Sequence, residues 1–197
     1  AVIALGNIFG YADGMSYGVV SASNYKATFF DGECAVIATD IPAEEQGTGM
    51  LFNMDGEVVG MISSSVWNDT GKNVVNAYGI SDLKPIIELL INGKSVPYIG
   101  IYGTTVTEQL AEEHKMPSGI YVADVDPDSP AMAAGIQIGD IICEASGEEI
   151  KDIAAYQNIV IGSSVGETME FVGKRLGSDG YVNIKFSVVT TEKEEVK

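Results

Sequence analysis

The stretch Ala38-Thr39-Asp40-Ile41-Pro42-Ala43-Glu44-Glu45-Gln46-Gly47-Thr48-Gly49-Met50-Leu51-Phe52-Asn53 joins two apolar runs through a tight, acidic, glycine-bearing turn. The flanking runs have strand length and lack helical period. Gly47 and Gly49 allow the backbone conformations that tight turns need. The turn contains one hydroxyl, on Thr48, and no serine.

Outward from that turn, residues 2–5, 17–22, 35–38, 51–53, 57–63 and 74–80 read as short strands. Asn53-Met54-Asp55-Gly56 is a hairpin signal, because Asp-Gly tolerates positive φ. Short strands with glycine-rich turns and no long helix between them predict a small, six-stranded antiparallel β-barrel. Residues 67–73 form a polar loop, in which Asn68-Asp69-Thr70 fits a short glycosylation pattern. Asp82 suits a helix cap, and Leu83, Ile86, Ile87, Leu90 and Ile91 share one helical face up to Asn92-Gly93. The start of the chain reads as a strand that begins abruptly, as though more chain preceded it.

Residues 98–190 read differently. Thr107 caps a helix over 108–114, and residues 119–125 form a strand. Ser129-Pro130 opens a short helix that Gly135 stops. Asp152 opens another helix, and residues 168–174 and 181–189 pair around Gly177-Ser178-Asp179-Gly180. Residues 191–197 are a charged tail expected to fray. The chain thus divides at about Pro97 into a barrel domain (1–97), a mixed α+β domain (98–190) and a tail (191–197).

Composition narrows the function. The formal charge is −17, from 28 carboxylates against 11 basic side chains, with Arg175 the single arginine. No basic cluster exists to neutralise phosphates, which argues against nucleic acid and anionic membrane as partners. No apolar run approaches the roughly 18–20 residues of a membrane-crossing helix, so no direct membrane insertion is expected. Cys34 and Cys143 do not make a disulfide framework. Asp124, Asp126 and Asp128 alternate like an oxygen-rich loop but lack the glycine and glutamate of a calcium hand. No phosphate loop or dinucleotide fingerprint occurs, so neither cofactor nor metal is expected.

Two sets of residues carry a resemblance. Val2-Ile3-Ala4-Leu5-Gly6-Asn7-Ile8-Phe9-Gly10, Gly18-Val19-Val20-Ser21, Thr39-Asp40, Asn53-Met54-Asp55-Gly56-Glu57-Val58-Val59-Gly60 and Ala77-Tyr78-Gly79-Ile80 resemble, in order, the second barrel of HtrA/DegP-type trypsin-like serine proteases. Tyr98-Ile99-Gly100-Ile101, Gly119-Ile120-Tyr121-Val122, Asp128-Ser129-Pro130-Ala131, Ala134-Gly135-Ile136 and Gly139-Asp140-Ile141-Ile142 resemble the PDZ domain that follows in that family. The implied fold is mainly β: the second, chymotrypsin-fold barrel followed by an α+β PDZ domain.

The departures bear on chemistry. The family writes Gly-Asn-Ser-Gly-Gly at its nucleophile; this chain writes Glu45-Gln46-Gly47-Thr48-Gly49, with Gly47 at the serine position and Glu45 at an oxyanion-hole glycine. Between Asp40 and that point the chain is one residue short. The first barrel, which supplies histidine and aspartate in the family, is not among these residues; a shortened, cut or naturally short protein would each look this way. Acyl transfer needs a nucleophile, a base and oxyanion donors. Gly47 offers no nucleophile, Thr48 is displaced by one position, and the single histidine, His114, lies at the end of a helix in the other domain. Ser63, Ser64 and Ser65 read as strand and loop residues beside Met61 and Ile62. No catalytic residue is assigned.

The resemblance also implies a peptide groove. Tyr98, Ile99, Gly100 and Ile101 are its carboxylate loop and edge strand, where an extended peptide adds as a further strand. The helix after Asp152 supplies the opposite wall, with Ile153, Tyr156 and Ile159 facing the last side chain of the ligand; the same spacing also suits plain core packing. Covering of the groove by the barrel or by the acidic tail is the competing expectation.

Three roles follow: a non-catalytic protease-derived module binding C-terminal or unfolded peptide segments, a serine endopeptidase of protein quality control whose first barrel is missing here, or a regulatory or scaffold subunit of an active homologue. The barrel should carry an apolar face for the missing N-terminal barrel or for a second copy. Family habit implies an extracytoplasmic bacterial setting, behind a membrane anchor outside these residues.

Overall fold

The structure, a computed structural model, describes residues 1–44, 46–63, 65–66 and 73–192. The expectations on Glu45, on Ser64, on the polar loop and its glycosylation pattern at 67–72, and on the tail at 193–197 lie outside the described residues. The chain packs as two compact units, one holding Ala1–Ala27 and Cys34–Ile87, the other holding Thr28–Glu33 and the chain from Glu88 onward.

The first unit is built on seven strands: β1 (Val2–Asn7), β2 (Gly14–Gly18), β3 (Val20–Phe29), β4 (Gly32–Pro42), β5 (Thr48–Phe52), β6 (Val58–Ile62) and β7 (Val74–Gly79). They form one sheet in the order β2-β1-β5-β6-β7-β4-β3, and the β1–β2, β1–β5, β5–β6, β6–β7 and β4–β7 ladders are antiparallel. Val2 and Ala4 point inward from β1 and join Ile8, Ile41, Leu51, Ile62, Val75 and Ala77 in a core, while Leu5 faces out. This is the alternation that a half-buried strand requires.

The sheet does not close, which corrects the expected six-stranded barrel. Closure needs a full ladder between the first and last strands. Here β2 and β3 are the two edges, and only Val19 separates them in sequence. Val19 instead donates its N–H to Asp40 Oδ1 at 2.8 Å and accepts from the Asp40 N–H at 3.2 Å. Most of β3 is exposed on both faces. A strand that buries little beyond Ala27 gains little by closing onto the far edge, and it pairs with β4.

Helix α1 (Ile80–Ile91) leaves β7 directly, starting before the expected cap. Asp82 sits inside its first turn and accepts from the Ala35 N–H at 2.7 Å, fastening the helix to β4.

The second unit comprises β8 (Pro97–Tyr98), β9 (Ile101–Thr105), α2 (Glu108–His114), β10 (Ile120–Val125), α3 (Pro130–Ala133), β11 (Ile141–Ala145), β12 (Glu148–Glu149), α4 (Ile153–Gly162), β13 (Thr168–Gly177), β14 (Gly180–Val189) and β15 (Thr191–Glu192). Its main sheet runs β14-β13-β11-β10-β9, with β12 added beside β11. The caps read from sequence are made: Thr107 accepts from the Leu110 N–H, Ser129 from Met132 and Asp152 from Ala155. Each satisfies an amide that the first helical turn leaves without a partner. Ile99, Ile101, Ile120, Val122, Ile142, Tyr156 and Phe171 form the centre of the core. Thr191 and Glu192 pair with Tyr98 and Pro97, so the first two tail residues are a strand and do not fray.

Candidate functional site

The site begins where β8 passes into β9. Gly100 has φ +93°, and a Cβ there would run into the Ser129 side chain, so a close approach and a left-handed backbone both demand glycine. The carbonyl of Ile99 accepts from the Ala131 N–H at 2.9 Å and that of Gly100 from the Asp126 N–H at 2.9 Å. These bonds fix the loop from behind. The N–H groups of three successive residues, Ile99, Gly100 and Ile101, are left converging on one point. Tyr98 is buried alongside and donates its hydroxyl hydrogen to Asp126. Burial, then that hydrogen bond, pushes the Tyr98 phenol up.

A carboxylate occupies the point of convergence. Asp31 lies in the two-residue turn between β3 and β4 and packs within the second unit. Its Oδ2 accepts from the Ile99 N–H at 2.7 Å and the Gly100 N–H at 2.8 Å. Its Oδ1 accepts from the Ile101 N–H at 3.0 Å and from the Tyr156 hydroxyl at 2.6 Å. The Asp31 N–H in turn donates to the Ile101 carbonyl at 2.7 Å, a strand-like bond to β9. Burial pushes the Asp31 carboxyl up from its ordinary range, and the hydrogen bonds from Tyr156, Gly100, Ile101 and Ile99 pull the other way. Four donors fill the lone-pair positions of an ionised carboxylate.

Neighbouring contacts hold the turn. Phe30 meets the Tyr102 ring edge-on at 5.8 Å between centroids. Glu33 donates its N–H to Gln157 Oε1 on α4 at 3.1 Å. A Cβ on Gly32 would come within 2.5 Å of Gln157 Cδ, so the chain presses against the helix there. Asp31, Glu33 and Gln157 escaped the sequence reading. Asp31-Gly32 signals a tight turn, but nothing local says what its carboxylate will meet.

The residues expected on the helical wall separate. Tyr156 is fully buried and reaches the convergence point through its hydroxyl. Ile153 is buried in the core, with its Cδ1 near Gly103 of β9. Ile159 is half-buried and borders another concavity, with Ser146, Glu148, Ala155 and Met169. Edge strand β9 and helix α4 thus flank the occupied site.

In the turn before β5, Gly47 is buried and donates its N–H to the Glu44 carbonyl at 3.0 Å. Gln46 and Thr48 are exposed, and Gly49 lies opposite Gly6 in β1. His114 sits exposed in the last turn of α2. Ser63 and Ser65 share a hydrogen bond at 2.8 Å, and Ser65 is 3.1 Å from the Tyr78 hydroxyl. Across β2, β1 and β5, Met15, Leu5 and Met50 stand side by side in register and are 69%, 39% and 41% exposed, an apolar row on the sheet.

Residues 121–175 match the PDZ domain family. The chain is 30% identical to a probable periplasmic serine endoprotease, DegP-like, of Halomonas elongata, over 93% of this chain and 40% of that protein. It is 28% identical to the periplasmic serine endoprotease DegP of Escherichia coli K12 over the same shares. It therefore spans about 40% of the length of these curated relatives. Two solved structures share the fold. The HtrA-type protease AlgW with tripeptide has a TM-score of 0.61 at 22% identity, covering 98% of this chain and 65% of that one. The serine endoprotease from Yersinia pestis has a TM-score of 0.56 at 24% identity, covering 98% and 62%. This chain belongs to the HtrA/DegP-like serine protease family and carries its PDZ domain.

Proposed function

We propose that this chain is a non-catalytic HtrA-like module whose PDZ domain takes C-terminal or extended peptide segments by strand addition to β9. One observation carries the reading: three successive amides, of Ile99, Gly100 and Ile101, converge on a single carboxylate beside an edge strand. Such a nest of N–H groups receives a terminal carboxylate without any basic side chain. Ile99, Gly100, Ile101 and Tyr156 serve as the receptor, Tyr98 as its support, and Ile153 as an apolar helix residue behind it. With a formal charge of −17, the protein favours ligands bearing basic residues upstream of the terminus.

The absence of catalysis rests on Gly47. It puts a hydrogen where acyl transfer needs an oxygen, and its N–H is engaged by Glu44 within the turn. The apolar row of Met15, Leu5 and Met50 is the proposed seat of another protein segment or of a second copy. The setting is extracytoplasmic and bacterial, as in the periplasmic relatives.

The test has two parts. A pool of decapeptides randomised at the last four positions, with free carboxylates, should bind with micromolar affinity, about −7 to −8 kcal/mol. The same pool as C-terminal amides should bind far more weakly. An active-serine phosphonate probe should leave the protein unlabelled. Labelling of any serine or of Thr48 would overturn the non-catalytic part, and equal binding of both pools would overturn the carboxylate receptor.

A further inference from the structure

The carboxylate receptor in this chain is already filled, and by the chain itself. Asp31 presents two oxygens to three amides and one phenol, and its own N–H bonds to the Ile101 carbonyl. That set combines a carboxylate in the amide nest with a main-chain bond to the edge strand. It is the set the last residue of an added peptide would make. The turn around Asp31 is also shaped for the place. Asp31 itself is held at φ +64°, Gly32 lies against Gln157 where a Cβ would not fit, Glu33 bonds to the same glutamine, and Phe30 packs on Tyr102 of β9. An ordinary hairpin turn would leave its aspartate in water; this one is 8% exposed.

We infer that residues 28–33 are an internal ligand of the PDZ groove, and that a peptide C-terminus binds by displacing the Asp31 carboxylate. The inference rests on the peptide-binding reading above and adds its regulation. The exchange replaces one carboxylate by another in the same nest, so both states satisfy the amides of Ile99, Gly100 and Ile101. The internal ligand is tethered and acts at high effective concentration, which lowers apparent peptide affinity by the fraction of open groove.

The experiment uses the full chain, wild type and Asp31→Ala, titrated with the decapeptide pool carrying free carboxylates and with its amidated counterpart. Asp31→Ala should bind the free-carboxylate pool about tenfold tighter or more than wild type, with no comparable gain for the amides. Hydrogen exchange on wild type gives a second reading that does not depend on how the variant folds. Saturating free-carboxylate peptide should speed exchange at the Asp31 and Glu33 amides while those of Ile99, Gly100 and Ile101 stay protected. Equal affinity of wild type and Asp31→Ala, or slower exchange at Asp31 and Glu33 with peptide bound, overturns the internal ligand and leaves peptide binding intact. Failure of both proteins to bind either pool overturns both readings.

Discussion

The Tyr156 hydroxyl donates to Asp31 Oδ1 at 2.6 Å across 125 positions of sequence, and Tyr156 is fully buried. Burial, with the charge of Asp31 and this hydrogen bond behind it, raises the phenol well above its ordinary value. It therefore remains a donor wherever Asp31 is ionised. The pair anchors helix α4 to the same carboxylate that the β8–β9 loop holds, so three segments meet on one charge.

Removing the donor should weaken that junction. Tyr156→Phe is expected to lower the stability of the second unit by about 1.5–3 kcal/mol, the range for a hydrogen bond to a charged group. Urea unfolding of wild type, Tyr156→Phe, Asp31→Ala and the double variant would check it. The two single losses should sum to more than the double loss, because the interaction can be lost only once.

Two glycines separate backbone need from packing need. Gly100→Ala meets both a left-handed φ and the Ser129 side chain, and should cost about 1–3 kcal/mol and weaken carboxylate binding. Gly32→Ala has an ordinary φ and meets one side chain, with Gln157 Cδ at 2.5 Å and Cγ at 2.9 Å, so the glutamine must move aside. It should cost about 1 kcal/mol, chiefly through the Glu33–Gln157 bond. Thermal denaturation ranks the two.

The single arginine neutralises a buried acid. Arg175 Nε lies 2.6 Å from Asp140 Oδ1, and an Nη lies 2.8 Å from Oδ2, while the Asp140 side chain is 1% exposed. Arg175→Met strands that carboxylate, to which the Gln137 N–H still donates at 2.9 Å. A loss of about 2–4 kcal/mol is expected, below the fully buried case because Arg175 is one-third exposed. Adding Asp140→Asn should recover part of it, as read by urea midpoints.

Cys34 gives a pH signature in the first unit. Burial, then the charge of Asp82, pushes its thiol up from 9.0 to about 12. The folded value exceeds the unfolded one, so the thiol's contribution is complete below about pH 9 and is lost as pH rises through about 12. The stability difference between wild type and Cys34→Ala should shrink from pH 8 to pH 11. Native-state alkylation at about pH 8.5 should reach half-buried Cys143 before Cys34.

Restoring a hydroxyl at the degenerate turn should not restore chemistry. Gly47→Ser provides an oxygen, but the adjoining N–H is held by Glu44 and the chain's histidine, His114, belongs to the other unit. Mass spectrometry after phosphonate treatment should find no adduct, whereas an adduct on the new serine would show that a base and oxyanion donors had been in place.

Much of this molecule is written locally. The caps at Thr107, Ser129 and Asp152, the Asp55-Gly56 turn and the inward alternation of Val2 and Ala4 are decided by neighbours a few residues apart, so the sequence alone determined them, together with the family. The β8–β9 loop, Tyr98-Ile99-Gly100-Ile101, was read from the family resemblance, and the left-handed backbone at Gly100 came from the structure. Only the tertiary structure decided the rest. Whether the sheet closes depends on a ladder between its two edges, and β3, which buries little beyond Ala27, gives little reason to form one. Whether the amide nest stands empty depends on a turn 68 to 70 positions earlier and a phenol 125 positions later meeting on one carboxylate. Long-range convergence of polar groups has no period and no local propensity, and so leaves no mark in the order of residues.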